Sequence, residues 1–463
     1  MDNQAHQAIS QAAGPGNYTR SPKTRMAFAS DATGRFFPPE GVVRARDMEQ
    51  VSKVMAACTA TGTPVVPRGA GSGITGGALP VDGGVVLDLA GLTEIIRISP
   101  EDQQAIVQPG VITAELSARA NAQGLFYPPD PASSNFSSLG GNVAENAGGL
   151  TAVKYGVTRD YVMAVKAVLP DGRIFKTGSR AIKSVVGYDL TRLLVGSEGT
   201  LAVLMELTLK LMPLPEAKST MTGVFTDLDQ ATAAVKELLL SGIRPVALEF
   251  MDGGTLKAVE KYAHLGLDPK AEAMLLVELD GPPEVLNRQS DQVVGILKKA
   301  GGSPVEKAAS EAEADRLWKA RRSISPAMFQ IAPSKLNEDI AVPLGNLAEM
   351  VRRIKKTREK RKLPIACFGH AGDGNLHVNI MHDAADPDQR ARALEAVSDV
   401  FADALHLGGT LSGEHGVGLN KLGYAGAEID PVALDLMHGI KKLFDPAGVL
   451  NPHKAIPYPE ILS

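Results

Sequence analysis

The most constraining stretch of this chain is GAGSGITGG (69–77), which contains a literal G-x-G-x-x-G at Gly71, Gly73 and Gly76. In a dinucleotide-binding Rossmann turn such a run opens directly into a helix. Here it continues as ALPVDGGVVLDL, a turn and then a strand, so context excludes that fold. What remains is a series of free backbone N–H groups beside Arg68, following the strand-like TPVVP (63–67). Successive amides of this kind form a nest for an anion, most naturally a diphosphate. The plain alternative is a glycine-rich surface loop.

Two further glycine-bearing stretches weigh against that alternative. SSLGGNVAENAGGL (137–150) follows the proline-stiffened YPPDPASS (127–134), and a third pair of glycines sits in GSEGTLAV (196–203). Several such loops suit a long cofactor with a diphosphate in its middle and a ring at each end. Around them the pattern alternates. Asp47 as N-cap, Gln50 at the capping-box position, and Val51, Val54, Met55 and Cys58 on one face predict a helix that Gly62 closes. GVVLDL (84–89) and QAIVQPG (104–110) read as strands, a second helix follows Thr113, and VMAVKAVLPDGRIFKT (162–177) reads as a hairpin turning at Asp171-Gly172.

Proline punctuation after TLAVLMELTLKLMPLPEA (200–217) places a domain boundary near 215. Beyond it, VALEFMD (246–252) and MLLVELDG (274–281) alternate with helices starting near Asp229, Pro283 and Glu311. That is a sheet covered by helices, an α+β arrangement. The expected division is a loosely ordered, partly helical lead-in (1–35), a cofactor domain carrying the glycine stretches (36–215), a second domain with a sheet covered by helices (216–415), and a helical segment (416–463) packing back on the first domain.

A chain of 463 residues exceeds one ordinary core. With 44% hydrophobic and 22% charged residues it has the composition of a globular protein, and a net charge of −4 argues against nucleic acid as partner. Only Cys58 and Cys367 are present, which excludes a disulfide framework and a four-cysteine iron–sulfur cluster. Any one-electron relay must then lie on another protein. The N-terminus lacks a charged stretch followed by an apolar core, and no run of 18 apolar residues occurs. A cytoplasmic location is expected, with peripheral membrane association left open.

CFGHAGDGNLHVNIMH (367–382) sets His370 and His377 on either side of Asp373-Gly374-Asn375, which signals a tight reversal. A reversal joins two strand ends, so both imidazoles can face one point. TLSGEHGVG (410–418) adds Glu414 and His415 on a glycine-flanked loop. Two imidazoles and a carboxylate make a usual set for a divalent metal with open positions, zinc first, with iron or manganese as alternatives. The competing reading is hydrogen-bonded core histidines and a capping glutamate. His382 and His438 fall outside these motifs and are expected at the surface.

PRGAGSGITGG (67–77), GGNVAENAGG (140–149) and GSEGTL (196–201), in this order and spacing, resemble the FAD-binding domain of the vanillyl-alcohol-oxidase (PCMH-type) family. The resemblance covers nearly the whole chain and implies an α+β fold, with an FAD-binding domain of two α/β subdomains and a C-terminal cap domain whose antiparallel sheet is covered by helices. Its nearest branch is the group of D-lactate dehydrogenase, glycolate oxidase flavin subunit and D-2-hydroxyglutarate dehydrogenase. It implies FAD contacts at Pro67, Arg68, Gly69, Ala70, Gly71, Ser72, Gly73 and Ile74, at Pro129, Asp130 and Ser134, and at Gly140, Gly141, Asn142, Asn146 and Gly148. Glu198, Gly199 and Asn451 complete the set; Asp130, Asn146 and Glu198 have the alternative of capping turns. Members that bind flavin covalently carry a histidine in the first loop, where this chain has Ser72, so the FAD is expected to be non-covalent.

The same resemblance implies His370, His377 and Glu414 as metal ligands and His415 as base. It points to Arg321, Ser325, Lys335 and Asn379 for the substrate, with Arg322 the residue most easily confused with Arg321. The implied reaction is hydride transfer from a small D-2-hydroxy acid to flavin, D-lactate first and glycolate next, bound between the FAD and cap domains. D-2-Hydroxyglutarate is an alternative because Asn379 follows the second histidine as in dicarboxylate-using relatives. Val378, where glycolate relatives often carry proline, lowers glycolate. Electrons would pass to an iron–sulfur subunit, an electron-transferring flavoprotein, a cytochrome or a quinone. A homodimer is compatible with the chain. Readings from other classes are a flavin-free metal hydrolase and a non-catalytic flavin electron carrier.

Overall fold

The computed structural model describes residues 1–458. The chain separates into two compact units. One comprises residues 1–149, 156–214 and the chain from Glu414 onward; the other comprises 150–155 and 215–413.

In the first unit the glycine run behaves as its context requires. Strand Val65–Arg68 leads into it, and after a turn the chain forms Val85–Asp88, parallel to Val65–Arg68 in register Val65 to Val85. Gly41–Arg44 pairs with Val85–Asp88 on the other side, and Tyr18–Thr19 adds an antiparallel edge. Helix Met48–Ala60 covers this sheet. Asp47 accepts from Gln50 N at 2.8 Å, and the Gln50 side chain in turn accepts from Arg46 N. Val51, Val54, Met55 and Cys58 are fully buried against Val65, Val85 and Leu87. Each such side chain contributes about 1.5–3 kcal/mol on burial.

Residues 1–35 are partly helical. They carry helix Asn3–Ala13, N-capped by Asp2, whose Ile9 and Ala13 belong to that same core. Ile9 and Ala13 lie four residues apart and so share one helical face. A second sheet of five antiparallel strands runs in the order Ile95–Ser99, Gln104–Val107, Val203–Lys210, Val162–Val168, Ile174–Gly178. Its last two strands form the hairpin expected at Asp171-Gly172.

The segment after 416 returns to this unit, with helices Leu422–Ala425 and Pro431–Phe444 and much irregular chain between. Its last five residues lie outside the described residues. The return is pinned by buried lysines. Lys441 donates to Thr200 O and Leu450 O, and Lys454 donates to Leu79 O at 2.7 Å.

The second unit is built on seven strands, all paired antiparallel: Val305–Lys307, Ala217–Phe225, Ala273–Gly281, Ala247–Asp252, Ile365–His370, Asn375–His382, Ser334–Ala341. Helices Gly253–Ala263, Pro283–Lys299, Glu311–Arg322, Leu347–Arg361 and Pro387–His406 pack on the sheet, and so does the short helix Ile324–Met328. The excursion 150–155 joins this unit through Tyr155, whose hydroxyl donates to Asp280 at 2.7 Å.

Candidate active site

The glycine stretches of the first unit meet one another. Ser138 Oγ accepts from Ala70 N and from Gly141 N, both at 3.4 Å, tying the first loop to the second. That second stretch is a short helix, Leu139–Glu145, where a loop was expected; Ser138 N-caps it, and Asn146 ends it in a left-handed conformation. A cap bond at one end and an αL stop at the other offset the low helix propensity of Gly140 and Gly141. Gly196 N and Glu198 N then donate to Val143 O and Ala144 O. Asn451 Nδ2 donates to Glu198 O at 2.7 Å and to Gly77 O at 3.0 Å.

Several expected FAD contacts are engaged in building this cradle. Asn142 donates to Thr113 Oγ1 at 2.7 Å, Asn146 Oδ1 accepts from Arg159 N at 2.9 Å, and Glu198 accepts from Val417 N and Gly418 N, both at 2.7 Å. Pro67, Gly69, Gly73 and Ile74 are half-buried, whereas Ala70 is exposed. Gly71 has φ +67, a conformation glycine adopts freely, and a Cβ there would collide with the Arg68 guanidinium. Gly199 also lies at positive φ. Pro129 is buried, Asp130 exposed and Ser134 half-exposed; the Asp130 carbonyl lies against Gly149. Ser72 sits half-buried in the first loop.

These residues fit a diphosphate-bearing cofactor. Arg68 is 8% exposed, and its Nη1 is buried without a hydrogen-bond partner. A buried guanidinium nitrogen in that state is a strong donor awaiting an anion. Two carboxylates are buried in the same unit. Burial pushes Glu145 well above the usual carboxylate range, and the neighbouring Glu198 charge raises it further. Burial also raises Glu198, against the two amides it accepts from. Glu414 and His415 belong to this unit as well. A Cβ on Gly148 would come within 2.7 Å of Glu414 Oε2, and His415 O accepts from Thr75 Oγ1 at 3.4 Å.

In the second unit the predicted reversal is a β-hairpin, Ile365–His370 with Asn375–His382. Gly374 turns it at φ +84, where a Cβ would meet Val342 O. Pairing Phe368 with His377 and His370 with Asn375 puts both histidines on one face, since side chains alternate along a strand. Their Nε2 atoms stand 3.4 Å apart, with the rings nearly perpendicular and both buried. Two buried nitrogens aimed at one point fit half of a divalent-metal set.

The strands on either side complete this face. Asp339 stands opposite His377, with Oδ1 at 3.8 Å from its Nδ1, and Asn337 stands opposite Asn379. Asn379 is 1% exposed; its Nδ2 and the Oδ1 of Asn337 are buried without hydrogen-bond partners. On the other flank Glu249 pairs in register with His370. Its Oε1 lies 2.6 Å from His370 Nδ1, and its Oε2 accepts from Arg321 Nε at 2.5 Å. Burial raises the Glu249 carboxyl, but the His370 and Arg321 charges outweigh it and hold the group below its usual range.

Arg321 stacks over Phe368, its Cζ 4.9 Å from the ring centroid. Arg322, one residue on, is exposed and pairs with Asp315 instead, so the helix sends the two arginines to different surroundings. Lys335 follows the same strand alternation as Asn337 and Asp339; its ammonium reaches Ser325 Oγ at 3.5 Å, and burial lowers its pKa. His382, expected at the surface, is buried at the strand end opposite Ser334. Glu249, Asp339 and Asn337 escaped the motif reading. A lone carboxylate inside the apolar strand VALEFMD was the available signal for Glu249.

Comparison with known proteins agrees with this geometry. Residues 39–178 match the FAD binding domain model, and residues 214–455 match the model of the C-terminal domain of FAD linked oxidases. The chain is 41% identical to glycolate oxidase subunit GlcD of Bacillus subtilis over 96% of this chain and 95% of that one. It is 36% identical to D-lactate dehydrogenase of Anaerostipes hadrus, covering 90% of this chain and 89% of that one. Its fold is that of p-cresol methylhydroxylase, at TM-score 0.81 and 18% identity over 98% and 97% of the two chains. The flavin-free hydrolase and the passive flavin carrier are thereby set aside: the chain belongs to the FAD-linked oxidases, as an FAD-dependent oxidoreductase of the glycolate oxidase and D-lactate dehydrogenase branch.

Proposed function

We propose that the protein oxidises a D-2-hydroxy acid to the 2-keto acid, with D-lactate the first candidate and glycolate the second. The observation that carries this reading is the pair of converging Nε2 atoms of His370 and His377, on a sheet face that also holds Arg321 and Lys335. Bound FAD would supply the hydride acceptor at N5, and a divalent metal, zinc or else iron or manganese, would supply a Lewis acid for the substrate hydroxyl. His370 and His377 are the proposed nitrogen ligands, with Glu414 as carboxylate ligand on the sequence grounds given above. Arg321 offers a planar fork and Lys335 a point charge to the substrate carboxylate, with Ser325 beside Lys335. His415 takes the hydroxyl proton as general base.

Arg68 and the amides of 69–74 would hold the FAD diphosphate non-covalently. The residues given above at 129–134, 140–148, 198–199 and 451 would shape the remaining contacts or support them. Electrons leave to a separate acceptor. The relatives support this: one is a named subunit of glycolate oxidase, and a mitochondrial relative from Arabidopsis thaliana, 36% identical, is a cytochrome-linked D-lactate dehydrogenase. Among the described residues no helix is long and apolar enough to cross a membrane.

A second reading, D-2-hydroxyglutarate as substrate, is favoured by the orphaned polar atoms of Asn337 and Asn379, on the strand face that also carries Lys335. A dye-linked assay comparing kcat/KM for D-lactate, glycolate and D-2-hydroxyglutarate separates the candidates. A preference of tenfold or more for D-2-hydroxyglutarate would displace D-lactate.

A further inference from the structure

Glu249 has no exposure to solvent, and its two carboxylate oxygens serve two different side chains. One faces Nδ1 of His370; the other accepts from Nε of Arg321. Strand register and one aromatic ring bring the three residues together. Glu249 and His370 are register partners in adjacent central strands, and the Arg321 guanidinium lies over the Phe368 ring. A carboxylate with no exposure is retained only where it is paired and hydrogen-bonded. Here the pairing has a directional result. A proton held on His370 Nδ1 by Glu249 leaves the lone pair on Nε2, the atom that faces His377 Nε2. The Nε edge of Arg321 being engaged, its two terminal nitrogens remain the fork for a substrate carboxylate.

We propose that Glu249 is a positioning residue for both halves of substrate recognition, fixing His370 as an Nε2 metal donor and Arg321 as the carboxylate clamp. One rigid carboxylate thereby sets the distance between the point that grips the hydroxyl and the point that grips the acid. This rests on the reading of His370 as ligand and Arg321 as carboxylate partner given under the proposed function. A purely structural ion pair would hold the cap unit together without fixing either affinity.

The test uses the full-length flavoprotein with Zn²⁺ as probe, read by competition with a chromogenic chelator. Wild-type protein binding Zn²⁺ stoichiometrically is the entry condition; failure there sinks the metal reading itself, before any variant is made. Glu249→Gln keeps an oxygen to accept from His370 but turns an N–H toward Arg321. It is expected to retain FAD and to weaken Zn²⁺ affinity 10–100-fold, the usual effect of losing a partner behind a metal-bound histidine. The KM for the hydroxy acid should rise tenfold or more. Adding Arg321→Met to Glu249→Gln should then raise KM by less than threefold further, because the clamp is already released. Should Glu249→Gln fail to fold, that double variant removes the buried charge from both sides and is measured in its place. Wild-type Zn²⁺ affinity in the variant that folds, or KM effects that simply multiply, would overturn the proposal while leaving the wild-type reading intact.

Discussion

Glu198 holds Gly418 by its backbone: the carboxylate accepts from Gly418 N at 2.7 Å, and from Val417 N beside it at the same distance. A residue of the third glycine stretch thus anchors the turn that follows Glu414 and His415. Glu198 is 6% exposed and sits at φ 50, so the arrangement is held by its surroundings.

Replacing Glu198 with Gln leaves one of those amides without an acceptor and the other with a neutral one. The expected loss is about 1–3 kcal/mol of stability, seen as a lower melting temperature, together with slower flavin reduction by substrate. A Glu198→Gln protein matching wild type in both would remove the anchoring role.

His415→Ala is expected to slow reduction of bound flavin by substrate 10²–10⁴-fold, about the contribution of one positioned base. FAD content should stay near normal, because the glycine stretches are joined through Ser138, Val143, Ala144 and Asn451. Rapid reduction in this variant would reassign the base.

His377→Ala should abolish stoichiometric metal binding, measured by elemental analysis after dialysis, and keep the flavin spectrum. The separation follows from the architecture, in which the histidine hairpin and the glycine stretches belong to different compact units. Unchanged metal content would refute the ligand assignment.

Lys454 is 1% exposed, and burial lowers its pKa to about 8 against the pull of neighbouring carboxylates, Glu198 first. Its unfolded value is about 10.4. Between these two values the unfolded chain holds more protons than the folded one, so stability contributed by this site rises with pH across that window. Relative to Lys454→Met, the wild type should gain up to about 3 kcal/mol from pH 8 to pH 10.4. Below pH 8 the difference should be flat. Melting temperatures of the two proteins across pH 7–10.5 check this, and a difference that falls with pH would contradict it.

Much of this was legible in the residues because local chemistry dictated it. The strand after GAGSGITGG excluded a Rossmann turn, and Asp373-Gly374-Asn375 announced the hairpin that aligns His370 with His377. Arg321 could be told from Arg322 only by the family resemblance, and the structure supplies the physical reason in Glu249 and Phe368. What escaped were residues whose role depends on register between distant strands. Glu249 meets His370 across 121 positions of sequence, and Asn337 meets Asn379 through a pairing that no local pattern fixes. The packing of the lead-in helix escaped for a similar reason: Ile9 and Ala13 join a core whose remaining buried members begin at Val43.

The most direct measurement is the visible spectrum of the purified protein under anaerobic conditions, before and after addition of D-lactate. The account predicts a yellow protein whose flavin bands bleach with D-lactate and not with L-lactate. Folded protein that carries no FAD and takes none up, or a yellow protein inert to D-lactate, glycolate and D-2-hydroxyglutarate alike, would contradict it.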